Sequence, residues 1–125
     1  MAPIIPSINS DEILDLAKTV SDRGANSISY IMVRLNGQVG VVFENWIKKA
    51  MPLRAEKVLN LIKETHGGKL NDSRWKKRMS GDGVVAKQVK DLFRIARIKY
   101  FNENNITPIN KDLFHQFKSD QMSLF

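Results

Sequence analysis

The chain has 125 residues, 42% of them hydrophobic, a net charge of +7 and no cysteine. That length suits one modest domain, and the missing cysteines exclude disulfides, cysteine-ligated clusters and cysteine nucleophiles within the chain. His66 and His115 are far apart, which argues against a histidine metal site. No apolar run approaches the ~20 residues that span a bilayer, and Pro3 and Pro6 interrupt the start without a basic leader, so the chain reads as soluble and cytoplasmic.

The segment MAPIIPSIN opens with Ile4 and Ile5, a short strand signal closed by Pro6 and Asn9. A helix is expected to follow, with Asn9 as its cap and Glu12 completing a capping box. Its stripe is Ile13, Leu16, Ala17 and Val20, and Gly24 should end it in a left-handed conformation. Residues 27 to 35 are rich in β-formers and apolar on both faces. Ile28, Tyr30 and Met32 alternate with Ile31, Val33 and Leu35, as in a strand covered on both sides. A lone strand pair leaves two open edges, so this strand–helix–strand unit is expected to need more sheet.

From residue 39 the apolar period becomes helical. Val39, Val42, Phe43, Trp46, Ile47 and Ala50 form one expected core stripe. Pro52 stands where a first-turn proline belongs, ahead of a helix to about Thr65 with Ala55, Val58, Leu59 and Ile62 inward. Gly67 and Gly68 should stop it. A third helix is expected over 84–101, with Val85, Val89, Leu92, Phe93, Ala96 and Tyr100 inward. The stretch 102–110 is turn-like, a short amphipathic helix is expected at 111–118, and the rest reads as a tail. The expected fold class is α+β, mainly α. A strand–helix–strand unit covers 1–38, a basic three-helix extension 39–103, and a short helix with its tail 104–125.

The positive charge is concentrated. Residues 46–100 hold fifteen Lys/Arg against five Asp/Glu, while the remainder carries five against eight. A concentrated positive field attracts polyanions, although a basic surface also serves plain solubility. The densest part lies between the Gly67–Gly68 pair and Gly81, where Lys69, Arg74, Lys76, Lys77 and Arg78 accompany Trp75. Asn71 or Asp72 is expected to cap a single turn there. Two readings compete: Lys69, Arg74, Lys76, Lys77 and Arg78 contact phosphates with Trp75 stacking on a base, or Leu70, Trp75 and Met79 pin the loop to the core while the cations stay solvated. The stretch lacks the glycine spacing of a nucleotide-binding P-loop, and Asp82 between two glycines is a turn signal. His66, at a helix C-terminus, reads as a residue placed favourably for the helix dipole.

Several segments together resemble a known family. MAPIIPSINSDEI, then RLNGQV and FENW, then RAEKVLNLIKETHGGKLNDSRW and RMSGDG look like the C-terminal part of a radical S-adenosylmethionine protein. The subgroup is the spore photoproduct lyase-like one, related to DNA repair photolyases. The resemblance covers residues 1 to 101. It implies a partial (β/α) barrel with a [4Fe–4S] cluster that reductively cleaves S-adenosylmethionine. Residues 1–35 would be the last strand–helix–strand of that barrel, and residues 39–101 a helical extension. The family's three-cysteine motif is absent here, so cluster and S-adenosylmethionine would belong to an upstream part. The chain alone would then hold no cofactor and catalyse nothing. Asn36 stands where that pattern more often has proline, and WKK at 75–77 replaces an aromatic–glycine pair.

The last five residues, Gln121, Met122, Ser123, Leu124 and Phe125, resemble the short peptide by which bacterial replication and repair proteins dock on the sliding clamp. Three functions therefore compete: an enzyme's accessory domain, a nucleic-acid-binding module, and a protein-interaction module. The expected partners are nucleic acid, an upstream barrel and a sliding clamp, with no membrane.

Overall fold

The structure, a computed structural model, describes residues 1–101 and 110–112. Most of the expected helix at 111–118 and all of the Gln121–Phe125 peptide lie outside them. Among the described residues five helices follow one another: α1 (Ile13–Asp22), α2 (Gln38–Ala50), α3 (Ala55–Thr65), α4 (Lys77–Ser80) and α5 (Gly83–Tyr100). The described chain is mainly helical.

The expected first and second strands are extended segments joined by a single parallel bridge, Ile4 to Met32. The Ile4 N–H donates to Ile31 O at 2.8 Å, and the Val33 N–H donates to Ile4 O at 2.9 Å. Their outer edges are occupied. On the first, Ile5 N–H donates to Asn9 Oδ1 at 2.8 Å and Asn9 Nδ2 donates to Pro3 O at 3.0 Å. On the second, Met32 N–H donates to Met79 O at 2.9 Å, and Arg97 Nε donates to Ile28 O at 2.9 Å. Asn9 therefore does not cap α1, whose start has no side-chain cap. A capping side chain uses its oxygen alone, whereas the primary amide at the strand edge uses donor and acceptor together.

The helix ends as expected. Gly24 has φ +88°, Gly24 N–H donates to Ser21 O and Ala25 N–H to Val20 O, the paired bonds of a left-handed stop.

Residues 28–35 separate two hydrophobic clusters. Ile28 and Met32 join Ile4, Ile13, Ala17, Val89, Phe93, Ala96 and Phe101, with Tyr30 stacked on Phe93 at 4.4 Å. Val33 and Leu35 join Ile47, Ala55, Val58, Leu59 and Ile62. The alternation in sequence thus sends neighbouring side chains into different cores.

Two expectations about α2 and α3 change. Val39, Val42, Trp46 and Ala50 are exposed and Phe43 is half-buried; Gly40 and Ile47 are the buried residues of α2. The cause is a close approach at Gly40, where a Cβ would lie 3.2 Å from Leu35 O. This contact aims the Gly40–Ile47 ridge inward and turns its flanks to water. Pro52 precedes α3 instead of opening it. The Met51–Arg54 turn closes through Arg54 N–H to Met51 O, and Arg54 O then accepts the first bond from Val58. The inward residues of α3 are those expected, and α5 runs close to its expected limits with Val89, Phe93 and Ala96 buried.

Candidate nucleic-acid interface

The basic loop leaves α3 at Thr65 and returns to the same residue. Asp82 N–H donates to Thr65 O at 2.9 Å, closing the ends of a compact loop. Glycines are required at both ends. Gly67 and Gly68 have φ +67° and +89°, and Gly68 N–H donates to Lys63 O at 2.7 Å. At Gly81, with φ +74°, a Cβ would sit 3.0 Å from the Ala86 Cβ and 3.3 Å from Thr65 O, so a side chain is opposed by backbone and space alike.

His66 ties the loop's base to the extended segment. It is buried, and its Nε2 lies 2.7 Å from Val33 O. A carbonyl only accepts, so Nε2 carries the proton and donates. The reading of His66 as a dipole partner at a helix end captures its position but misses this tertiary bond.

Asp72 organises the next turn. Its Oδ1 accepts the Arg74 N–H at 2.9 Å, and its Oδ2 accepts from Arg74 Nε and Nη2 at 2.9 and 2.6 Å. The Arg74 side chain and backbone bonds together hold the Asp72 carboxyl down to about 2, and the same pair raises Arg74. The chain then turns through Lys76, at φ +66°, into α4, which begins once Arg78 N–H has bonded Arg74 O at 2.9 Å. Lys77 pairs with Asp82.

These pairings sort the candidate contacts. Arg74 and Lys77 each face an acid, whereas Lys69, Lys76 and Arg78 have no carboxylate partner among the described residues. Trp75 is 75% exposed, and the Arg78 guanidinium sits 5.0 Å from its ring centroid. The reading of Trp75 as a core pin is therefore wrong. Leu70 alone of the three apolar residues packs on a core cluster, and Met79 engages through its backbone. Asp72 makes the local turn expected of it.

No protein-family model, curated protein or solved structure matches the chain.

Sequence reasoning missed two cations. Lys87 and Lys90 line a cleft of about 380 Å³ with Tyr30, the Ser80–Gly83 turn and Ala86. Burial raises the Tyr30 hydroxyl above its ordinary value, with Arg97 opposing. The signal was available: Lys87, Lys90, Arg94 and Arg97 fall at i, i+3, i+7 and i+10, one face of a helix. Arg94 is drawn to Asp91 at 3.5 Å and Arg97 to Ile28 O, which leaves Lys87 and Lys90 as the outward charges of that row. Among the described residues no group of three or more His, Asp or Glu could hold a metal ion, and no helix is long and apolar enough to cross a membrane.

Proposed function

We propose that the chain binds nucleic acid through the loop between α3 and α5. The carrying observation is the set of cations without acid partners among the described residues: Lys69, Lys76 and Arg78 on a loop pinned at Thr65, adjoined by Lys87 and Lys90 in the first half of α5. Such cations displace condensed counterions from a polyanion, so binding falls as salt rises. Their anchoring on a closed loop lowers the ordering cost of the contact. The test is titration with mixed-sequence oligonucleotides over a range of salt. Replacing Lys69, Lys76 and Arg78 by glutamine should weaken binding and reduce the salt slope by about 2–3. Wild-type protein that is not retained by nucleic acid at low salt would end this reading.

A second reading rests on the family resemblance: the chain is the C-terminal part of a radical S-adenosylmethionine protein, its first 35 residues completing a (β/α) barrel. The parallel Ile4–Met32 pairing with α1 between the two segments supports it, because parallel neighbours need such a crossover. The [4Fe–4S] cluster and S-adenosylmethionine would then be held by an upstream segment, since this chain contains no cysteine. An upstream strand joining the first segment would have to displace the Asn9 amide. Sequencing the reading frame upstream decides the matter, and a frame without the three-cysteine motif removes this reading.

A further inference from the structure

We propose that the loop receives an unpaired base on the ring of Trp75, making single-stranded nucleic acid the substrate class. This rests on the nucleic-acid reading above and narrows it. A tryptophan usually buries its large apolar body, yet Trp75 keeps three-quarters of its surface in water. Its exposure follows from the fixed chain on either side. Asp72 holds Arg74 immediately before it, and α4 begins two residues after it. Between Trp75 and α4 stands Lys76 at φ +66°, a left-handed conformation uncommon for a residue with a side chain. Such backbone is tolerated where its surroundings impose it, and it concentrates at ligand sites.

The surroundings of the ring select the occupant. Arg78 covers part of the ring from 5.0 Å, and a cleft of about 130 Å³ lies among Trp75, Lys76, Arg78 and Met79. No acid lines that cleft. An aromatic platform bordered by Lys76 and Arg78, neither paired with an acid among the described residues, complements a flat heterocycle carried on a phosphate backbone. An apolar peptide would gain nothing from Lys76 and Arg78. Within an intact duplex the faces of the bases are stacked on one another, so a base that meets Trp75 must be single-stranded or turned out of its helix.

The chain has two tryptophans, so Trp46→Phe leaves Trp75 as the sole reporter. In that background, a single-stranded oligonucleotide and its duplex are titrated at low salt, following tryptophan fluorescence and anisotropy of the labelled nucleic acid. The single strand should quench Trp75 and bind about tenfold more tightly than the duplex. Trp75→Ala, read by anisotropy, should lose about tenfold on the single strand, with the duplex unchanged, and Trp75→Tyr should restore most of the loss. Equal binding of both forms, without quenching and indifferent to Trp75→Ala, would overturn the base site while leaving the cationic reading intact. Binding of neither form would remove both.

Discussion

Helices α2 and α5 are both amphipathic, yet they belong to the fold to different degrees. α5 packs against both α1 and α3 and buries Ala86, Val89, Phe93 and Ala96 along its length. α2 leans on α3 and buries Gly40 and Ile47, leaving Val39, Val42 and Trp46 in water. The contrast separates two properties that a sequence runs together. An apolar stripe says which side of a helix avoids water, but the number of neighbours sets how wide a strip is covered.

The comparison breaks most sharply at Phe93, which is 1% exposed and stacked on Tyr30. Phe93→Ala should cost about 3–5 kcal/mol in urea unfolding, much of the stability a small domain has. A loss below about 1 kcal/mol would show that α5 is not the spine of the fold. On α2 two adjacent residues should differ in the size of their effect. Ile47→Ala should cost about 2–4 kcal/mol, while Trp46→Ser, which gives up the ring contact with Phe43, should cost about 0.5–1.5 kcal/mol. Equal losses at both positions would mean that the outward face of α2 is covered in solution.

A smaller effect belongs to the loop, which closes onto the start of α5. The Asp72 carboxyl is lowered from 3.8 to about 2 by Arg74. A lowered carboxyl stabilises the folded state fully above its unfolded value and loses that contribution as pH falls through the folded one. The Asp72–Arg74 turn should therefore hold at pH 5 and loosen between about pH 4 and 2. In the Trp46→Phe background Trp75 fluorescence should follow the change, and Asp72→Asn should abolish that titration. An identical acid transition in the variant would assign it to other carboxyls.

Much of this was readable in the chain. Gly24 stops α1 because its neighbours offer the two carbonyls of a left-handed stop, a wholly local arrangement. Ala55, Val58, Leu59 and Ile62 share one side of a regular helix, and the two apolar faces of residues 28–35 forecast two cores. What escaped depended on distant partners. Trp46 and Ile47 are adjacent and both apolar, and the seating of Gly40 against Leu35 turns Ile47 inward. Asn9 is as suitable for a helix cap as for a strand edge, and the positions of Pro3 O and Ile5 N settle its choice. Trp75 resembles a core residue until the Asp72–Arg74 turn and the left-handed Lys76 are placed around it. The division of the loop's cations into paired and unpaired is likewise a matter of three dimensions, since Lys77 meets its acid across α4.

The Asn9 amide has a consequence for behaviour in concentrated solution. The outward N–H of Ile5 and the outward carbonyl of Pro3 are what a foreign strand would seize to begin edge-to-edge aggregation. Both are engaged by a side chain from four and six residues away, and Pro3 itself offers no N–H to an incoming chain. A segment as apolar as Ile4–Ile5 thus runs at the margin of the fold without presenting a template. The guard travels with the segment it protects, because the amide and both of its partners lie within residues 3–9.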